Sequence, residues 1–264
     1  RSSDLIAKLP GGPNGAAMGP DGNFYICLSG GLIWKTENGH TFSIGPAKDY
    51  KHGAIQRVNA KTGAVETLYT HCDGAPLRAP NDLVFDKAGG LWFSDLGKTV
   101  GDVMYRGNLY YAKTDGSAIT RVNTNMPRPN GVGLSPDGST LFVAEFETAR
   151  LWSYKITKPG QLELLKGSPN GGKFVAGLPG LNHFDSLAIE QNGNICVATI
   201  VAGGITVFSP EGEVLEFHQS PEAFNSNICF GGAEMKTAYV TLSSYGNLFK
   251  AQWPRSGLKL NFQE

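Results

Sequence analysis

The chain has 264 residues, 35 of them glycine, and only 17% are charged. Lys+Arg and Asp+Glu each number 23, so the net charge is zero and no basic excess exists for a nucleic-acid partner. No apolar run approaches the ~18 residues of a membrane-spanning helix, while a hydrophobic share of 41% is ample for a core.

In chain order, the run Leu5-Ile6-Ala7-Lys8-Leu9 first reads as a short strand. One unit then recurs. Asn14 to Gly22 precedes Phe24–Cys27, Asn81 to Gly89 precedes Leu91–Ser94, and Asn130 to Gly138 precedes Leu141–Ala144. Asp185 to Gly193 precedes Ile195–Ala198, and a worn copy runs from Ser226 to Thr241. Each copy reads as strand, tight turn, strand; Pro-Asp-Gly in the first and third and Asn-Gly in the fourth supply the turn geometry. A third strand follows in every copy, from Gly53, Gly107, Arg150, Gly204 and Gly246. A fourth is expected at Ala64–Tyr69, Glu213–Phe217 and Leu258–Phe262. The starts lie 67, 49, 55 and 41 residues apart, and the long first gap holds an insertion at 36–52. Four antiparallel strands per ~40–60 residues, without helical periodicity, predict an all-β propeller in a single domain, 1–264.

Four cysteines (27, 72, 196 and 229) form no CxxC pair, which excludes a zinc knuckle, and they read as buried, reduced thiols. That fits a reducing, cytoplasmic location. No Gly-x-Ser-x-Gly elbow, P-loop or dinucleotide fingerprint occurs.

In a propeller the innermost strands line a central channel, and their first residues form a ring around one mouth. Here these are Asn14, Asn81, Asn130, Asp185 and Ser226. The first four carry oxygens that suit Ca²⁺ or Mg²⁺, or a softer ion such as Zn, Mn or Fe. Asn and Asp also cap turns and strand ends, and for any single position that is the default. Asp95 and Glu145, at the ends of second strands, are read as such caps, whereas Trp34 and Tyr105 suit either a mouth or a core.

The runs Arg78-Ala-Pro-Asn-Asp-Leu-Val-Phe-Asp86, Arg128-Pro-Asn-Gly-Val-Gly-Leu-Ser-Pro-Asp-Gly138 and Asp185-Ser-Leu-Ala-Ile-Glu190 resemble the regucalcin/gluconolactonase/luciferin-regenerating-enzyme family over roughly residues 10–250. The resemblance implies a six-bladed propeller with four-stranded blades, one divalent metal (Ca, Zn, Mn, Mg or Fe), and hydrolysis of a small lactone. It places Asn130 and Asp185 as metal ligands and Asn81 beside the substrate, with Asp185 and Asn81 catalytic. Arg78, Arg128, His183 and Asn14 are candidate substrate contacts; the two Arg, each just before a ring position, read otherwise as solvated loop charges, and His183 as either a proton shuttle or a hydrogen-bonded loop residue. The family's ligand Glu, in a Glu-Gly-Pro motif, has no counterpart, because Asn14 fits the register of a second blade.

Blades starting near 14, 81, 130, 185 and 226 make five, and residues 1–9 are expected to be the outer strand of an incomplete first blade. Its other strands, with the Glu, would belong to a separate N-terminal segment; a lost blade or a closed five-bladed ring are the alternatives. In function, an isomerisation or elimination on a cyclic substrate, or a non-catalytic binding propeller, stands beside lactone hydrolysis.

Overall fold

The computed structural model describes residues 5–263. Turn chemistry sets the repeat. In the Pro-Asp-Gly turns Gly22 and Gly138 take φ of 71° and 76°, a left-handed conformation that costs glycine little. At the second of these, Asp137 Oδ1 accepts the Ser139 N–H at 3.0 Å. Each turn returns an apolar strand antiparallel to its predecessor.

Five antiparallel sheets result. The first blade comprises Pro13–Met18, Phe24–Leu28, Ala54–Val58 and Val65–Tyr69. The second comprises Pro80–Phe85, Leu91–Asp95, Gly107–Ala112 and Ile119–Met126. In the third, Pro129–Leu134 and Thr140–Glu145 lead to Arg150–Lys158, which pairs with both Gln161–Glu163 and Lys173–Gly177. The fourth comprises His183–Ile189, Ile195–Ile200, Gly204–Phe208 and Val214–Gln219. The fifth has three strands, Asn225–Gly231, Thr237–Leu242 and Asn247–Gln252.

Neither face of a middle blade meets water, so apolar side chains run along both. Leu91, Phe93 and Tyr110 of the second blade pack toward Tyr25, Ile55 and Tyr69 of the first. Trp92 and Leu109 pack the other way, toward Val132, Leu141 and Trp152 of the third. Two further cores join the third blade to the fourth and the fourth to the fifth. Five blades thus share four interfaces. Between the fifth and the first lies a seam, part of a cavity of about 440 Å³ that continues into the central channel. Asn14, Ala16 and Met18 line one side of the seam, and Cys229, Tyr239, Thr241 and Leu248 line the other.

Two devices span the seam. The insertion after Leu28 forms a hairpin, Leu32–Glu37 with His40–Pro46. Its tip reaches the fifth blade, where Thr41 N–H donates to Ser244 O at 3.0 Å and His40 lies on the Tyr245 ring. At the opposite end of the channel, the segment after Trp253 bridges Gly257 to Glu190 of the fourth blade. It then crosses to the second, where Asn261 Nδ2 donates to Phe85 O at 2.8 Å and Phe262 packs edge-on against Phe85.

Several expectations need correction. The described residues build five blades rather than six. Residues 5–9 form no strand: Ile6 and Ala7 lie against Gly63, in the turn between the third and fourth strands of the first blade, and not along a strand; residues 1–4 lie outside the described residues. Leu258–Phe262 alternates like a strand, but its backbone is drawn onto the channel floor instead of onto the fifth blade. Cys27, Cys72 and Cys196 are buried free thiols as expected, whereas Cys229 faces the seam and is exposed. Among the described residues no helix is long and apolar enough to cross a membrane.

Candidate metal centre and substrate mouth

The five ring positions share one local distortion. Each innermost strand breaks register with its neighbour at its start: between Pro13 and Ala16, opposite Pro80–Leu83, between Pro129 and Val132, between Phe184 and Leu187, and between Asn225 and Asn227. An extra residue in one strand of an antiparallel pair re-aims its side chain. Asn14, Asn81, Asn130, Asp185 and Ser226 all sit inside these bulges.

Asn130 and Asp185 come together. The Asn130 side chain lies beside the Asp185 carboxyl, yet Asn130 Oδ1, fully buried, has no hydrogen-bond partner. An orphaned buried acceptor is uncommon and calls for a cause. Burial pushes the Asp185 carboxyl up to about 7, the Asn130 contact lowers it, and the nearby Asp82 raises it. A carbonyl oxygen without a donor beside a carboxylate that resists ionisation is the environment a hard cation would relieve. The pair fits such an ion as two of its protein ligands. Among the described residues no group of three or more His, Cys, Asp or Glu side chains gathers as a metal site, and the acid beside the pair is Asp82.

Sequence reasoning overlooked Asp82 as a clamp across three blades. Its Oδ2 accepts from Ser186 Oγ at 2.5 Å in the fourth blade and from Val132 N–H at 3.3 Å in the third. Its Oδ1 accepts from Leu83 N–H at 2.9 Å in its own strand. Burial pushes this carboxyl up to about 6. Ser94 Oγ adds a second cross-blade bond, to Asn130 O. The Asn-Asp doublet at 81–82 was the available signal. Asn81 itself is buried, whereas Asn14 is exposed at the seam.

Above the ring, Asp95 accepts backbone N–H bonds from Arg78, Ala79 and Gly97 at 2.7–2.9 Å, as a strand-end cap should. Glu145 likewise takes the hydroxyl of Thr148 and the amide of Asn170. Arg78 lies over the Tyr105 ring, 3.9 Å from its centroid. Arg128, at a strained φ of 55°, pairs with Glu147 at 2.8 Å and donates to Thr99 at 3.0 Å. His183 stacks on Phe146, with Nδ1 3.2 Å from the Phe146 carbonyl, so it is held as a hydrogen-bonded residue at the rim. Trp34 is exposed on the hairpin.

The SMP-30/gluconolactonase/LRE-like family model matches residues 2–244. The chain belongs to that family. Gluconolactonase of Zymomonas mobilis is 30% identical over 88% of the chain and 61% of its own length. Diisopropyl-fluorophosphatase of Loligo vulgaris is 30% identical over 71% of the chain and 61% of its own length. This family member therefore spans about three fifths of these curated relatives. Among solved structures, regucalcin of Agrobacterium tumefaciens, described as a calcium-binding protein, superposes with a TM-score of 0.67 at 16% identity, over 96% of the chain and 94% of its own. At that identity the likeness speaks for the propeller fold alone.

Proposed function

We propose that the protein is a hydrolase that opens the lactone of a sugar acid or small hydroxy acid at the mouth of the propeller, with a divalent cation held by Asn130 and Asp185. The observation that carries this reading is the unpartnered, buried Asn130 Oδ1 against the Asp185 carboxyl. The curated gluconolactonase relative supports the substrate class.

When bound, the cation would polarise the lactone carbonyl and lower the pKa of water. Asp185 takes the proton from the attacking water as general base. Asn81, one bulge away, orients the substrate by its amide. Asp82 keeps the second, third and fourth inner strands in register, so the reacting groups are held rather than searched for. The description of regucalcin as calcium-binding supports a divalent cation such as calcium; Zn, Mn, Mg or Fe are the other candidates.

We further assign a sixth blade to the seam, supplied by a separate N-terminal segment. The support is the exposed face of Leu248, Thr241 and Cys229 opposite Ala16. The test is thiol labelling of the purified protein together with intact mass. Cys229 protected, with a second polypeptide present, agrees; a single chain with Cys229 freely reactive refutes it.

For the reaction, pH-stat assays on a lactone panel are combined with elemental analysis. Stoichiometric metal and lactone turnover are expected, both abolished in Asp185→Ala, while Asn81→Ala keeps the metal and loses turnover. Stoichiometric metal retained in Asp185→Ala would remove the site assignment. Metal without lactone turnover would instead favour an isomerase or lyase on the same scaffold, and no metal would favour a binding propeller.

A further inference from the structure

The mouth carries more positive charge than its folding explains. Lys98, on the hairpin Lys98–Val100 with Val103–Tyr105, is 8% exposed. Its Nζ donates to the carbonyls of Ser29 and Gly31 at 2.8 and 3.1 Å and lies 4.9 Å from the centroid of the Tyr50 ring. Tyr50 in turn donates to the Arg78 carbonyl at 2.9 Å, and Arg78 lies over Tyr105, the strand partner of Lys98. Arg128 joins through Thr99, the residue after Lys98. Three cations from two blades thus share one cluster. Burial pulls the Lys98 ammonium down to about 8; Asp95 partly restores it and Arg128 lowers it again.

The acids nearby, two against three cations, offset the cluster only in part. Asp95 acts on both Arg78 and Lys98 while accepting three backbone N–H bonds, and Glu147 pairs with Arg128. Among the described residues neither Arg78 nor Lys98 forms an ion pair. Leaving a buried ammonium without a carboxylate costs stability. The Arg78 guanidinium, over the Tyr105 ring and beside the Tyr50 hydroxyl, has no carboxylate partner among the described residues and presents donors suited to a two-oxygen anion.

We infer that the substrate carries an acidic group, a carboxylate or phosphate, in addition to its lactone ring, and that Arg78 and Lys98 receive that group while the ring meets Asn130 and Asp185. This rests on the lactonase reading but makes its own demand. A neutral sugar lactone would leave both cations unanswered. A lactone of a sugar diacid, or of a phosphorylated sugar acid, would answer them.

The test compares kcat/KM for glucono-lactone, its 6-phosphate and the lactone of glucaric acid, in wild type and in Arg78→Gln and Lys98→Met. At least one anionic lactone should exceed the neutral one by about tenfold or more, as expected for charge-assisted pairing. Whichever of the two leads identifies the anion. Each variant should cut that ratio about tenfold, mainly through KM. Equal turnover of neutral and anionic lactones, or a ratio unchanged in both variants, overturns the inference. If no lactone is hydrolysed the reaction reading falls, and calorimetric binding of glucose, glucuronate and glucose 6-phosphate decides the cluster alone. Preference for an acidic sugar, lost in Arg78→Gln, sustains it; equal binding of all three refutes it.

Discussion

Arg255 offers the sharpest test of what holds the fifth blade and the floor segment to the ring. Its Nε donates to Glu190 Oε2 at 2.6 Å, and its two terminal nitrogens form a fork on Glu216 at 2.7 and 2.9 Å. Glu190 is 0% exposed and also accepts from Trp253 Nε1 at 2.6 Å and Asn194 Nδ2 at 2.9 Å. Burial alone would raise the Glu190 carboxyl; Arg255, Trp253 and Asn194 together hold it below its ordinary value. Arg255→Met strips the compensating charge and leaves the carboxylate inside. Removing one partner of a buried pair costs about 3–5 kcal/mol. The Arg255 side chain is 29% exposed, so water partly repays the loss and the lower end applies. The Glu216 leg, 37% exposed, adds at most about 0.5 kcal/mol. The expected total is about 3 kcal/mol, or a Tm lower by about 6–12 °C in a chain of this length. Urea unfolding followed by tryptophan fluorescence, with calorimetry, measures both. Glu190→Gln/Arg255→Met should recover more than half of the loss, because the unpaired charge is gone. A single variant within about 1 kcal/mol of wild type, or a double variant whose losses simply add, would refute the assignment of the charge to the interior.

Acid should expose the same contact. Hydrogen bonds from Arg255 hold the Glu216 carboxyl down to about 2, against about 4.3 when unfolded. Its stabilisation is complete above about 4.3 and lost as pH falls through about 2, so the gap between wild type and Arg255→Met should narrow across that window. Gly131→Ala should separate the third and fourth blades, since a Cβ there would stand 2.6 Å from Leu187 N and 2.8 Å from Ser186 Cα. A loss of about 2 kcal/mol with lowered turnover is expected by urea unfolding and assay, and a neutral effect would mean the bulge is looser than drawn. Among the groups packed around Lys98 (Tyr50, Arg78, Asp95, Tyr105 and Arg128), Lys98 is the cation that discharges near pH 8. KM for an anionic lactone should therefore rise above pH 8 after correction for spontaneous hydrolysis, while a neutral lactone stays flat. The same rise in Lys98→Met would assign the break to another group.

Much of the architecture was legible because turns are local. A tight turn such as Pro-Asp-Gly or Asn-Gly before a short apolar run constrains a hairpin within about ten residues, and five strand–turn–strand repeats give a propeller. The pairing of Asn130 with Asp185 was legible too, since equivalent register places equivalent residues around one mouth. Of the cationic cluster, Arg78 and Arg128 were legible as residues just before ring positions, but their gathering with Lys98 was not. Lys98 and Tyr105 lie on one inserted hairpin and Tyr50 on the loop after another, and no period relates an insertion to another blade's insertion. The floor segment misled for a different reason. Leu258-Lys-Leu-Asn-Phe262 has strand alternation, but a strand also needs a free edge, and Ile189 and Phe85 capture its backbone and side chains first. Alternation reports which side chains seek burial, not where the burial is found.

The bulge at the head of every inner strand separates two kinds of heredity. Below it, Leu83–Phe85, Val132–Leu134 and Leu187–Ile189 keep strict register with their neighbours, and a change there propagates through the core. Above it, a looped-out residue owes little to the ladder, and the present chain already displays Asn, Asp and Ser at that one place. Selection can therefore redraft the chemistry at the mouth one blade at a time, without renegotiating the fold beneath. A scaffold so divided can diversify by short steps among reactions.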